Sequence, residues 1–261
     1  MNRETEARTR PIGMFDSGVG GLSVLGEAVR QLPHEDFIYY GDNGHAPYGT
    51  KPPETVRKLA FDVIERLLVQ NVKAVVIACN TATAEAAKEL REHYSIPIIG
   101  MEPALKPAAE MEGDGLRLVL ATPGTLSSEK YARLYARFGQ NAVSLPCPGL
   151  MDFVEAGDRG SPALRDYLKC LLSPYLDRQV TAVVLGCTHY PFIRSLIASY
   201  FPLSTRIVDG NAGTVRQLGR VLAQRGLLNP TGEGSVALQT SGDSHTLNLM
   251  RRMFEEAKAI R

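Results

Sequence analysis

The chain has 261 residues, 44% hydrophobic and 22% charged, with 29 Lys and Arg against 28 Asp and Glu for a net charge of +1. That composition excludes a disordered, collagen-like or coiled-coil chain. So even a balance argues against a sequence-independent grip on nucleic acid, which rests on many phosphate contacts. No apolar run approaches the roughly 18 residues of a membrane span. Met1 to Arg10 is polar and mixed in charge, with no apolar stretch behind it, so a cytoplasmic location without signal or transit peptide is expected.

Along the chain, Pro11 to Phe15 reads as a short strand ending in Asp16-Ser17-Gly18-Val19-Gly20-Gly21. Leu22, Leu25, Ala28, Val29 and Leu32 follow at helical spacing, closed by Pro33. Phe37 to Tyr40 is a second strand, then a turn-rich loop from Asn43 to Pro53, a helix over Glu54 to Gln70 and an apolar strand at Ala74 to Ala78. Cys79-Asn80-Thr81 opens an alanine-rich helix to His93, and Ile96 to Ile99 is extended. The pattern then restarts: a strand at Leu116 to Leu120, a helix from about Ser127 to Phe138, a short strand at Val143 to Leu145 and a helix at Ser161 to Leu176. A strand at Ala182 to Leu185 ends in Gly186-Cys187-Thr188-His189-Tyr190-Pro191 before another helix, and Ile207 to Asp209 is extended. Helices at Thr214 to Gln224 and Thr246 to Ala259, with a strand at Val236 to Thr240, complete the chain.

Strand–helix alternation with continuously apolar strands predicts parallel sheets covered on both faces. Val-Val-Ile-Ala-Cys at 75–79 matches Val-Val-Leu-Gly-Cys at 183–187, so the two cysteines lie 108 positions apart. The expected fold is α/β, with two pseudo-symmetric domains around a central cleft. The first takes residues 1–102 plus 212–261 and carries Cys79; the second takes 103–211 and carries Cys187.

Of the four cysteines, no two have the Cys-x-x-Cys spacing of zinc or redox motifs, and free thiols are expected. Cys147, between two prolines, and Cys170, within a helix, read as small packing residues. Cys79 and Cys187 each sit between a buried parallel strand and a helix, where open α/β sheets bind ligands. There the helix dipole stabilises a thiolate, with Thr81, Thr83 and Thr188 as candidate caps and Pro191 suited to a first turn. Two equivalent thiols facing each other across a cleft suit removal of a proton from one face of a carbon and delivery of another to the opposite face. Competing chemistries fail on spacing. A Cys-x5-Arg phosphate loop needs Arg where Glu85 and Ile193 stand. Cys187 and His189 are too close in sequence for a spatially assembled protease pair, and no further metal ligands stand at recognisable spacing. Gly18-Val19-Gly20-Gly21-Leu22-Ser23 misses the dinucleotide fingerprint by its last glycine, although Asp42 ends the next strand. It reads either as a tight turn or as a loop whose N–H groups meet an anion. Pro47-Tyr48-Gly49 is a turn or a carboxylate contact. By residue type alone, Glu155 and His189 are ordinary surface positions unless the fold sets them beside Cys187.

Four blocks now carry a resemblance: Phe15 to Val24, Pro47-Tyr48-Gly49, Ala78-Cys79-Asn80-Thr81-Ala82-Thr83-Ala84 and Leu185 to Pro191. In order and spacing they resemble the signature blocks of glutamate racemases, over nearly the whole chain. The resemblance implies an isomerase, free of cofactor and metal, that interconverts L- and D-glutamate and supplies D-glutamate for peptidoglycan. It implies Cys79 and Cys187 as the acid–base pair, Asp16 assisting the first thiol, and His189 with Glu155 assisting the second. It also implies substrate contacts at Asp16, Ser17, Tyr48, Gly49, Asn80, Thr81, Thr122, Thr125, Thr188 and His189. A homodimer is usual in the family, and some relatives answer to a cell-wall precursor as activator. One position departs from the family pattern: Asn43 stands where Thr or Ser is expected. Two other readings are an aspartate or broad-specificity racemase of the same fold and a non-catalytic metabolite-binding module built on the glycine loop.

Overall fold

A computed structural model describes residues 3–260. Met1, Asn2 and Arg261, the ends of the expected tail and of the expected first domain, lie outside the described residues. The stretch read as a tail begins with helix α1 (Arg3–Thr9). Strand β1 (Ile12–Asp16), helix α2 (Leu22–Gln31) and strand β2 (Phe37–Gly41) follow. The long loop then holds two single 3-10 turns, Asn43–His45 and Tyr48–Thr50, before α3 (Pro53–Leu68), β3 (Ala74–Ile77), α4 (Asn80–His93) and β4 (Ile98–Gly100).

The second run comprises α5 (Leu105–Ala109), β5 (Leu116–Ala121), α6 (Pro123–Ser127), α7 (Glu129–Phe138), β6 (Ala142–Pro146), α8 (Leu150–Glu155), α9 (Pro162–Leu172), β7 (Val180–Leu185), α10 (Arg194–Ala198) and β8 (Arg206–Asp209). It is followed by α11 (Asn211–Gln224), β9 (Val236–Thr240) and α12 (Ser244–Ala257). Three expectations change. The helix expected from about Ser127 is α7, which starts at Glu129 because the Ser128 hydroxyl accepts from the Tyr131 N–H, and an unexpected short helix, α6, precedes it. The helix expected to Leu176 ends at Leu172 and continues as a 3-10 turn containing Pro174. The helix expected after Pro191 opens as a 3-10 turn over Tyr190–Ile193.

The strands form two all-parallel sheets, ordered β4-β3-β1-β2-β9 and β6-β5-β7-β8. Reversed, the second order is β8-β7-β5-β6, which repeats the first without β9. The sequence repeat is thus a repeat of topology, and Cys79 and Cys187 follow equivalent strands, β3 and β7. In each sheet the inner strands alternate apolar residues between two covered faces. Met14 and Val76 join the cluster of Leu22, Leu218 and Met253 on one side, while Phe15 and Ile77 join Val56, Ile64 and Leu90 on the other. In the second sheet, Leu120 and Leu185 pack with Leu150 and Leu168, and Val119 and Val184 with Leu105 and Leu134. Burial on both faces explains why these strands read as unbroken apolar runs. The carboxyl ends of β1, β3, β5 and β7 converge on one cavity. No helix among the described residues is long and apolar enough to cross a membrane.

Candidate active site

Cys79 is the cap of α4: in extended backbone, its Sγ accepts from the Ala82 N–H at 3.4 Å. Its other polar neighbour is the Ser17 hydroxyl, 3.8 Å away. The candidate caps Thr81 and Thr83 do other work. The Thr83 hydroxyl donates to the Ile77 carbonyl and accepts from the Met101 N–H, which ties β3 to β4. Asp16, fully buried at the end of β1, accepts from the Gly18 N–H at 2.8 Å and the Thr188 hydroxyl at 2.9 Å. Burial pushes the Asp16 carboxyl up to about 6, against the opposing pull of His189 and these donors. Burial, reinforced by the charge of Asp16, pushes the Cys79 thiol up to about 12. This reverses the expectation drawn from the helix dipole alone: the dipole acts over one turn, whereas the loss of solvent acts on the whole charge.

Cys187 faces a different partner. Its Sγ lies 3.5 Å from Nδ1 of His189, whose Nε2 is 2.7 Å from a Glu155 oxygen. Burial lowers the proton affinity of His189, but Cys187 and Glu155 outweigh it and hold the imidazole well above its usual range. Burial likewise disfavours an ionised Glu155, yet His189 and the donors from Val19 and Asn43 bring it below the ordinary carboxylate value. The fold therefore moves both residues out of the surface positions that residue type suggests. His189 is buried, and Glu155, at the end of α8, reaches across to the first sheet's glycine loop.

That loop has its own explanation. The Val19 N–H donates to Glu155 at 2.8 Å. A Cβ on Gly18 would stand 1.9 Å from the Glu155 oxygen, and one on Gly20 would stand 2.3 Å from Nδ1 of His189. Glycine is required at both because side chains from α8 and from the turn after β7 occupy the space. The anion that meets this loop is the protein's own carboxylate.

Three hydroxyls span the same boundary. Thr81 on α4 lies 3.0 Å from Thr122 and 3.2 Å from Thr125 at the start of α6, and those two are 3.0 Å apart. Gly49 packs against Thr122, where a Cβ would approach to 2.9 Å. The Tyr48 ring turns away: its hydroxyl donates to Asp42 at 2.7 Å. Asp42, the position where a dinucleotide fold keeps its ribose-binding acid, also accepts from Ser241 and lies against His45. Asn80 is buried with its amide oxygen unpartnered.

Ser17, Gly49, Cys79, Asn80, Thr81, Thr122, Thr125, Cys187, Thr188 and His189 thus line one cavity, with Met151 and Gly186. Its free volume is about 10 Å³, room for roughly one water. Of the residues expected at the site, Asp16 and Glu155 stand behind its wall rather than in it, and Tyr48 contributes no hydroxyl to it. Thr188 caps no helix; its hydroxyl is spent on Asp16 and its carbonyl accepts from Ser23 at 2.9 Å. Ser23 and Met151 were not foreseen. Ser23 fills the third-glycine position of the near-miss fingerprint, and Met151 lies on a six-residue helix too short to show periodicity. All four cysteines are free thiols; Cys147 is buried, while Cys170, expected to be a packing residue, is exposed. Among the described residues, no three His, Cys, Asp or Glu side chains gather into a possible metal site.

A family model described as Asp/Glu/Hydantoin racemase matches residues 15–218. The chain belongs to this family. It is 45% identical over 257 residues to a glutamate racemase of Clostridium perfringens, covering 97% of this chain and 99% of that one. Its fold matches a crystal structure of glutamate racemase from Thermus thermophilus in complex with β-chloro-D-alanine, with a TM-score of 0.81 and 36% identity over 94% of this chain and 93% of that one. It also matches Escherichia coli glutamate racemase in complex with L-glutamate and the activator UDP-MurNAc-Ala, with a TM-score of 0.84 and 30% identity over 95% of each chain.

Proposed function

We propose that this chain interconverts L- and D-glutamate by exchanging the α-proton between Cys79 and Cys187. The observation that carries this reading is the cavity itself: two thiols after equivalent strands of two repeated sheets, facing one polar space and held by unlike proton partners. Burial keeps Cys79 as a thiol, a proton donor, while the Cys187 sulfur lies 3.5 Å from Nδ1 of an imidazole held well above its usual range. In one direction the Cys187 sulfur takes the α-proton and Cys79 gives its own to the opposite face of the carbon. The reverse direction exchanges the roles. The hydroxyls of Ser17, Thr81, Thr122 and Thr125 are donors for the substrate carboxylates, and the free oxygen of Asn80 is an acceptor for its ammonium group. Fixed donors in a closed space stabilise the charge that develops as the C–H bond breaks. Because the cavity holds about one water, glutamate enters by separation of the two domains, residues 1–102 with 212–261 and residues 103–211.

Proton NMR of L-glutamate in D2O with purified protein and no added cofactor tests the reading. The expected result is loss of the α-proton signal with optical rotation decaying to zero. An unchanged signal rejects glutamate as substrate, and aspartate is the next compound to assay. On the same reading the chain is a cytoplasmic homodimer that supplies D-glutamate to the cell wall, and a cell-wall precursor is a candidate activator.

Asp16 yields a pH prediction. Its carboxyl, at about 6 in the folded chain, lies above its ordinary 3.8. Stability from the protonated form is therefore complete below about pH 4 and is lost as pH rises through 6. Asp16→Asn mimics the protonated form. It is expected to be more stable than the parent by on the order of 2–3 kcal/mol at pH 7, with no gain at pH 4. Its racemisation is expected to fall at least about ten-fold, since the charge beside Ser17 and Cys79 is gone. Denaturant unfolding at the two pH values reads the first effect; equal gains at both would refute it.

A further inference from the structure

Glu155 has two carboxylate oxygens, and only one of them faces His189. Oε1 accepts from the Val19 N–H and from Nε2 of His189. Among the described residues Oε2 has a single donor, the side-chain amide of Asn43, at 3.2 Å. The orientation of that amide is set from the far side. The Gly242 N–H donates to the Thr240 hydroxyl, which donates in turn to Oδ1 of Asn43 at 2.9 Å. Oδ1 thus faces a donor, and the amide NH2 can only point at Glu155. A chain of hydrogen bonds runs from the end of β9 through Asn43, Glu155 and His189 to the sulfur of Cys187. Asn43 is also the position at which this sequence departs from the residue types expected in its family. A threonine or serine side chain is shorter by an atom and could not span Thr240 and Glu155 together.

We propose that Asn43 is a positioning residue for the Cys187 side of the reaction, fixing the Glu155 carboxylate so that it holds the His189 ring in place against Cys187. This rests on the two-thiol reading above. The amide holds the second carboxylate oxygen, so that Glu155 cannot rotate away from the imidazole and stays ionised. Other titratable groups around that carboxylate are His189 against it, Asp16 and Tyr39 on the neighbouring strands, and Cys187 beyond the imidazole. Asp42 and His45, on the same loop as Asn43, pair with each other.

Asn43→Asp tests the amide in isolation, because it keeps the shape and the acceptor toward Thr240 but replaces the donor with a second carboxylate. Racemisation at pH 8 is expected to fall by about ten- to a hundred-fold, the usual effect of losing a hydrogen bond to a buried charge. The ratio of variant to parent activity is expected to rise as pH falls toward 5.5, since one proton shared by the two carboxylates restores the bond. Asn43→Ala, with no proton to regain, is expected to show a loss whose ratio is flat with pH. Asn43→Asp activity within two-fold of the parent, or a loss with a flat ratio, overturns the inference. If Asn43→Asp fails to fold, the Ala variant decides: activity within two-fold of the parent overturns the inference equally. The parent protein is assayed in parallel. If it too exchanges no α-proton, the racemase reading fails, whereas an active parent with an unaffected variant removes only the role of Asn43.

Discussion

Serine in place of either Cys79 or Cys187 is expected to lower racemisation of glutamate by about 10²–10⁴-fold, the usual range for losing an acid–base group. Both directions of the reaction fall with either substitution, because each turnover uses one sulfur to accept the proton and the other to donate it. A hydroxyl at either place is too weak an acid to exchange protons at neutral pH. The fold is expected to persist. Cys79 already caps α4 through its side chain, and serine is a strongly favoured cap, so Cys79→Ser loses no stability on that account. The variants differ in what they leave behind. With one thiol gone, the other can still remove the α-proton of the enantiomer that faces it, so exchange into D2O without inversion persists for one enantiomer and is lost for the other. The preference is expected to be opposite in Cys79→Ser and Cys187→Ser. NMR on each pure enantiomer, with circular dichroism to confirm the fold, reads both effects. If either variant keeps more than a tenth of the parent rate, the two-thiol mechanism is wrong.

The largest expected effect on stability lies far from the cavity. Lys73, just before β3, donates from Nζ to Glu35 and to the Arg8 carbonyl, and both side chains of the pair are 2% exposed or less. The other Glu35 oxygen accepts from the Asn229 N–H at 3.0 Å. This one ion pair ties α1, the approach to β2, the approach to β3 and the segment after α11. Burial draws the Lys73 ammonium toward neutrality, against the pull of Glu35. Removing one partner strands the other charge without water. Lys73→Met or Glu35→Leu alone is therefore expected to destabilise the chain by about 3–5 kcal/mol. For a chain of this size that is a fall of roughly 10 °C in Tm. The double substitution is expected to recover most of the loss, since no charge is then left buried. Thermal and denaturant unfolding of the three variants tests this. Single variants within about 1 kcal/mol of the parent, or a double variant as unstable as the singles, would disprove it.

These expectations draw unequally on the sequence. The strands at β1, β3, β5 and β7 are legible as apolar runs, and the helices α2 and α3 as periodic stripes. Cys79 and Cys187 stood out because a residue between a buried strand and a helix sits where parallel sheets expose chemistry. The repeat at 75–79 and 183–187 foretold the matching strand orders. Short elements were hidden: α5, α6 and α8 are five or six residues long, less than two turns, so no apolar stripe could mark them.

The α/β class, the duplication and the two thiols are written in neighbouring residues and their spacing, so they can be read from the chain alone. Tertiary structure decided which charge each thiol meets. Glu155 lies 136 positions from the Val19 N–H it accepts, and Thr188 lies 172 from Asp16. Burial, which drives Cys79 up where its helix alone would bring it down, is a property of everything packed around the sulfur. Local sequence placed the sulfurs; only the meeting of two distant sheets removes the water around them and sets Asp16 near one and His189 beside the other.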